Sequence, residues 1–280
     1  MEKINLFKSS QGWVSNIDLL DTLKMVAAHK CKILYIHTGM SFGIPNPELK
    51  KKEILKAIFD VIMELKVPTV CMPTFTFSFC NGDVFDVQNS KSKMGAINEY
   101  FRKMPDAIRS IDPLISIVLI GDDKDLAIGI GKESIGINST FHKLHSREGV
   151  KFLFLGTKIG DCFTYMHFIE KFLELPCRYD RNFTGRIIDN GKEYEDTFTL
   201  YVRYKNVLPG TGSYEYGKYM IEKGIAKKEY CGDSFVISVD EEPAFQTYEQ
   251  FIKKDINYFM DPNTVYDGDK TFEVKDMVAL

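Results

Sequence analysis

KFLFLGTKIGDCFTYMHFIE, residues 151–170, is the stretch on which the reading of the fold turns. Lys151–Gly156 is an apolar run closed by a glycine, the pattern of a strand buried inside a sheet. Thr157–Cys162 reads as a loop, and Thr164 is placed to cap a helix. His167 and Glu170 then fall at i and i+3 in the first turns of an amphipathic helix, so imidazole and carboxylate share one face. That face lies just past the carboxyl end of a strand, where open α/β sheets keep their sites. An imidazole beside a carboxylate is a base tuned near neutral pH, suited to taking a proton from an amine or thiol. The plainer reading is a core histidine with a surface glutamate, and the pair alone does not separate the two.

Upstream, Lys32–His37 (KILYIH) is a strand ending in the Gly/Ser loop Thr38–Gly43 (TGMSFG). Pro45–Lys66 reads as a long amphipathic helix and Thr69–Pro73 (TVCMP) as another strand, which together make a parallel βαβ unit. Helices are expected at Ile17–His29, Met94–Arg102 and Asp122–Ile130, with a strand at Leu114–Ile120. Phe75–Ser92 is irregular, aromatic and long for a connection in a compact domain, a length usually kept for function. Asn182–Asn206 alternates around Asn190-Gly191, the strongest hairpin signal in the chain. Helices at Tyr214–Gly224 and Pro243–Asp255 enclose a strand at Ser234–Val239. The expected fold is α/β with a mixed central sheet: a parallel βαβ core plus an antiparallel hairpin annex at about 182–206. No repeat, low-complexity segment or linker interrupts it, so one domain over 1–280 is expected.

Composition narrows the function. The 280 residues are 44% hydrophobic and 27% charged, as in ordinary globular proteins. A formal net charge of -3 argues against nucleic acid as a partner. Lys50–Lys52 is the only tight basic run, and it reads as a solvated helix face. Met1–Ser10 is polar, and no apolar stretch nears the ~20 residues of a membrane helix, so no membrane partner and a cytoplasmic location are expected. The six cysteines are scattered, with no Cys-x-x-Cys pair, and read as reduced. His142 and His145 share no metal spacing with His167, so no metal is expected.

Several segments in chain order resemble the aminoglycoside 3-N-acetyltransferase family. They are Tyr35–Gly43 (YIHTGMSFG), Met72–Thr76 (MPTFT), Phe85-Asp86, Ser92–Arg102 (SKMGAINEYFR), Met104–Ser116 (MPDAIRSIDPLIS), Ser139–Leu144, Phe152–Gly156 and Thr164–Glu170 (TYMHFIE). The likeness runs over roughly residues 14–185. Two departures stand out: Asp112 replaces a family histidine, and Ser90-Lys91 replaces Thr-Pro.

The resemblance implies an antibiotic acetyltransferase fold and an enzyme that moves an acyl group from acyl-CoA, its co-substrate, to the primary amine of an amino sugar. His167 would be the general base, with Glu170 or Glu99 orienting it. The loop His37, Thr38, Gly39, Met40, Ser41, Phe42 and Gly43, together with Thr74, Phe75, Ser110 and Ser116, would line the cofactor cleft. Arg102 and Arg109 would meet coenzyme A phosphates or pair with nearby carboxylates. Phe77, Asp86, Asp112 and Tyr179 would shape the acceptor side, with Phe79 and Phe85 adding aromatic surface. Cys162, five residues before His167, invites a covalent route, but the motifs of arylamine acetyltransferases are absent, so direct attack is expected. The two departures lie on the acceptor side and the chain is only weakly acidic, so a nucleotide-linked amino sugar is the expected acceptor. Aminoglycoside acetylation is the alternative within the class, and a non-catalytic coenzyme A-binding protein the alternative outside it. Self-association is left open.

Overall fold

An antiparallel hairpin, β1 (Asn5–Ser9) and β2 (Gly12–Ser15), opens the chain ahead of α1 (Asn16–Met25). The structure, a computed structural model, describes residues 1–264; residues 265–280, the end of the expected 1–280 unit, lie outside the described residues. β3 (Ile33–Thr38), the short β4 (Ile44–Pro45), α2 (Lys51–Glu64) and β5 (Thr69–Pro73) come next. β3 and β5 pair in parallel with Ile33 beside Thr69, the βαβ unit expected from the sequence. The middle of the chain supplies β6 (Phe85–Asp86), α3 (Ala96–Arg102), β7 (Ile108–Arg109), β8 (Ile117–Gly121), α4 (Thr140–His145) and β9 (Val150–Leu155). After a single turn of helix, α5 (Ile159–Cys162), come α6 (Tyr165–Phe172), β10 (Arg178–Asp189), β11 (Lys192–Arg203) and α7 (Gly212–Glu222). β12 (Lys227–Cys231), β13 (Ser234–Asp240) and α8 (Glu241–Lys254) complete the series.

The central sheet has the order β12-β13-β9-β3-β5-β8-β7. Only β9, β3 and β5 are mutually parallel, and β13 and β8 flank them antiparallel. The expected mixed sheet is present. Leu34, Ile36, Met72, Leu153 and Leu155 face one side, against Leu23 of α1, Ile58 and Val61 of α2 and Phe101 of α3. Tyr35, Cys71, Phe152, Phe154 and Ile237 face the other, against Phe168 of α6, Tyr216 of α7 and Tyr248 of α8. A strand covered on both faces is apolar at every position, which is why these strands read as unbroken apolar runs.

The annex is a second sheet, β11-β10-β6, and its hairpin pairs without a slip from Arg178↔Arg203 to Asp189↔Lys192. Asn190 and Gly191 form the turn at φ 49° and 77°, the two positive angles a right-twisted two-residue hairpin requires. It therefore starts at Arg178, four residues before the boundary the turn signal suggests.

Other expectations need correction. Asp122–Ile130 is no helix beyond a single 3₁₀ turn at Lys124–Leu126, because Arg147 holds Asp123 (2.5 Å) and Asp125 while Gly129 turns to φ 65°. α1 stops at Met25, short of His29, where Ala27 takes φ 57°. α2 begins at Lys51 rather than Pro45, and Thr157–Cys162 contains α5. β1, β2 and β12 are not anticipated from the sequence because they are partly exposed and carry no unbroken apolar run. Among the described residues no helix is long and apolar enough to cross a membrane.

His37, on β3, is only 3% exposed, stacks on Phe154 (5.3 Å) and lies edge-on to Phe163. Burial drives its pKa down from 6.5 to about 3, so the folded ring stays neutral. As pH falls below about 6.5, the unfolded chain takes up a proton that the folded chain refuses. Stability is therefore lost on acidification, by up to ~1.4 kcal/mol per pH unit from this residue. In His37→Phe, urea midpoints should fall less steeply than wild type between pH 7 and pH 5. Equal slopes would show that His37 does not drive the loss.

Candidate active site

The carboxyl end of β9 organises the site from two directions. On one side it receives the loop after β3: the Gly39 N–H donates to Leu155 O (2.8 Å) and the Ser41 hydroxyl to Gly156 O (3.0 Å). The hydroxyls of Ser41 and Ser234 lie 3.1 Å apart, Thr38 Oγ1 donates to Asn98 Oδ1 (2.7 Å), and Phe42 is fully buried against Phe7. Met40 takes φ 61° and Gly43 φ 145°, so the segment turns sharply and leaves its backbone on the surface of the strand end. On the other side, β9 runs through α5 into α6, which carries His167 and Glu170.

That pair is in contact. His167 Nδ1 lies 2.7 Å from Glu170 Oε2, and the Tyr248 hydroxyl of α8 donates to Glu170 Oε1 (3.0 Å). Arg178, the first residue of β10, brings Nε to 2.6 Å from Glu170 Oε2 and Nη2 to 2.9 Å from His167 Nδ1, while Nη1 donates to Tyr201 O (3.2 Å). The side chains of Glu170 and Arg178 are 9% and 5% exposed, that of His167 19%. Burial by itself would raise the Glu170 carboxyl, but Arg178, His167 and the Tyr248 hydroxyl outweigh it and hold the pKa at about 2. A carboxylate 2.7 Å from a bare ring nitrogen would set lone pair against lone pair. The Arg178 Nη2, also at Nδ1 (2.9 Å), has only protons to offer, so carboxylate and guanidinium make opposite demands on that nitrogen.

The expected electrostatics need correcting. The carboxylate neighbour is expected to raise the imidazole; instead the ring's pKa is lowered, first by burial and then by the Arg178 guanidinium, both of which outweigh Glu170. The ring is a neutral acceptor. Arg178 and Tyr248 do not stand out in the sequence. The available signal is a carboxylate close to an apolar helix face, since a buried carboxylate demands a cation.

The other candidates are spread widely. Glu99 is not beside His167: it binds Arg102 (Nε to Oε2 2.9 Å, Nη2 to Oε1 2.7 Å), Lys103 (3.1 Å) and the Ser92 N–H (3.0 Å). Those partners overcome the effect of burial and hold its pKa at about 2. Thr74, Ser110 and Ser116 are buried in the β5–β8 seam, Ser116 Oγ donating to Thr74 O (2.8 Å) and Ser110 Oγ accepting from the Ile117 N–H (2.9 Å). Arg109 donates to Thr74 O (2.7 Å), Ser90 O (2.5 Å) and Ser116 Oγ (3.2 Å), clamping that seam. Asp112 is buried and caps the Leu114 and Ile115 N–H groups, and burial raises its pKa. Its carboxylate faces its own loop rather than an open acceptor side.

Asp86 likewise caps a turn, accepting from Gln88 and Asn89. Phe75, Phe79 and Phe85 are core residues at 4%, 5% and 0% exposure; Phe77 is half-buried, edge-on to Phe75, and Tyr179 half-buried against Tyr204. The Cys162 thiol is pushed up to about 12 by burial, so it is no thiolate at neutral pH.

A methyl group at Gly39 would run into Gly156 O, and that obstacle is backbone, unable to rotate away. Gly39→Ala should therefore cost about 1–3 kcal/mol and lower the melting temperature by several degrees. Gly95→Ala is the comparison in a roomier place, its nearest obstacle being Asn98 Oδ1 at 3.5 Å, although its φ of 119° also favours glycine. An unchanged melting temperature for Gly39→Ala would mean that the crossing is not tight.

The comparisons with known proteins agree with this architecture. The sequence pattern of the family described as aminoglycoside 3-N-acetyltransferase matches residues 36–253. No curated protein matches the chain by sequence. Among solved structures, the aminoglycoside acetyltransferase AAC(3)-Xa superposes with a TM-score of 0.73 at 18% identity, covering 87% of this chain and 94% of its own. AAC-IIIb in its binary complex with coenzyme A gives 0.71 at 16% identity, over 89% and 98%. A histidine-to-alanine mutant of AAC(3)-IVa, in complex with a gentamicin, gives 0.71 at 17% identity, over 94% and 94%. At such identities the likeness is one of fold, and the pattern over residues 36–253 carries the kinship. With both in hand, the chain belongs to the aminoglycoside 3-N-acetyltransferase family and is an acyl-CoA-dependent N-acyltransferase.

Proposed function

We propose that the protein transfers the acetyl group of acetyl-CoA to an amino group of an aminoglycoside-type polyamine sugar, with His167 as general base. The observation that carries this is the contact of Glu170 Oε2 with His167 Nδ1 at 2.7 Å: in the tautomer that gives the carboxylate an Nδ1–H, Nε2 has the lone pair that takes the substrate proton. The acceptor nitrogen attacks the thioester carbonyl carbon directly. As the N–C bond forms, that nitrogen becomes strongly acidic, and a ring of lowered pKa can take its proton. The tetrahedral oxyanion would be met by backbone N–H groups of the loop at 38–43. When the C–S bond breaks, the imidazolium returns the proton to the departing thiolate, so proton and charge balance. Cys162, a half-buried thiol whose pKa is raised, has no part in the route.

The acceptor class follows the family. The expected nucleotide-linked acceptor rested on two departures from the family pattern and on weak acidity; of the aromatic residues that could have stacked a base, Phe75, Phe79 and Phe85 are packed into the core. The substitution at Asp112 concerns a loop cap, which removes a second reason for setting aminoglycosides aside.

Two measurements test this reading. His167→Asn should lower kcat/KM by ~10²–10⁴, the usual contribution of a positioned base, with coenzyme A affinity little changed. Full turnover in that variant would remove His167 from the chemistry. Thiol release from acetyl-CoA should be compared for gentamicin, sisomicin and kanamycin against nucleotide-linked 3- and 4-amino-6-deoxyhexoses. The drugs should lead by roughly 10²-fold in kcat/KM, about 2.7 kcal/mol of discrimination. A lead for the nucleotide sugars would reverse the acceptor assignment, and no release with any amine would favour a binding protein.

A further inference from the structure

Charges of both signs converge on the His167 ring from its own helix and from two other elements. Helix α6 supplies Glu170, β10 supplies Arg178, and β11 supplies Arg203, whose charge also disfavours the imidazolium. From α8 the Tyr248 hydroxyl reaches Glu170 (3.0 Å) and is neutral. Among the described residues, the charges of Arg178 and Arg203 oppose that of Glu170 at a ring whose side chain is 19% exposed. Of the two, Arg178 is the one in contact: its Nη2 is 2.9 Å from Nδ1, and a guanidinium has no lone pair to offer. An imidazolium there would face a fixed positive group across a poorly solvated gap. The same guanidinium keeps Glu170 ionised through Nε, 2.6 Å from Oε2, and is itself oriented by Tyr201 O (3.2 Å).

We propose that Arg178 is a positioning residue that orients Glu170 and, by facing the ring edge of His167, keeps the base uncharged and available in mildly acidic surroundings. This rests on the reading of His167 as the general base. The acid limb of the activity profile is then set by an arginine that does not touch the substrate. A charge-neutral replacement lets the ring protonate earlier, and a lysine restores part of the field while losing the two-pronged geometry.

The experiment follows the His167 Cε1–H resonance by NMR from pH 4.5 to 8, together with kcat/KM over the same range. The proteins are wild type, Arg178→Lys and Arg178→Gln. The wild-type ring should titrate below 6.5. In Arg178→Gln its midpoint should rise by about one unit, and the loss of kcat/KM relative to wild type should be roughly tenfold larger at pH 5.5 than at pH 8. Arg178→Lys should fall between them. A wild-type midpoint at or above 6.5, or equal midpoints in wild type and the glutamine variant, would overturn the proposal. Removing Arg178 leaves Glu170 buried without a counter-ion, so the glutamine variant can fail to fold; the wild-type titration and the lysine variant then decide. Because the resonance reports the ring whether or not it turns over substrate, loss of the base assignment through an active His167→Asn is a separate outcome.

Discussion

The buried charge cluster of Glu170, Arg178 and His167 is the constraint that the rest of the structure serves. A carboxylate and a guanidinium taken from water cost several kcal/mol each, recovered only when the pair is close and fully hydrogen-bonded. Here the partners come from α6, β10, β11 and α8: Tyr248 and Arg178 on the carboxylate, Tyr201 O on the guanidinium. The cluster therefore fastens the annex to the face of the main sheet. Breaking it by removing one partner would strand the other charge, an effect of roughly 3–5 kcal/mol.

A second constraint is the crossing at the end of β9. β3 and β9 run side by side from Ile33↔Val150 to Thr38↔Leu155, and the loop after β3 folds over the residues that follow β9. The Gly39 amide, the Ser41 hydroxyl and the Leu155 and Gly156 carbonyls hold the two chain segments together. The loop and the helix bearing His167 thus depart from neighbouring strand ends, the place an open α/β sheet offers a ligand.

Much of the scaffold was legible in the sequence because burial writes itself locally. β3, β5 and β9 are apolar on both faces, and Asn190-Gly191 can do little else but turn a hairpin. The i, i+3 spacing brought His167 and Glu170 within reach without any tertiary information. What stayed hidden depends on distance in the chain. Arg178 and Tyr248 meet Glu170 only after two changes of direction, and the ring's lowered pKa comes from burial and from Arg178, not from its helix neighbour. Glu99 looked equivalent to Glu170 because spacing cannot say that Arg102, one turn away, would claim it. Asp112 looked like an acceptor-side substitution because a loop cap and a pocket residue have the same letter.

The strand order carries a consequence for how the chain is made. β9 is inserted between β3 and β13, and its pairing of Val150 with Ile33 joins residues farther apart in sequence than the other strand pairings among the described residues. During synthesis β3, α2 and β5 leave the ribosome long before β9, so one edge of β3 waits unpaired while Ile33, Leu34, Tyr35 and Ile36 are ready to bury. Loop-closure entropy and an open apolar edge act together in that interval, which makes closure by β9 the slow and aggregation-sensitive event of folding. Arrival of β9 ends the exposure, and the chain that follows it brings in His167.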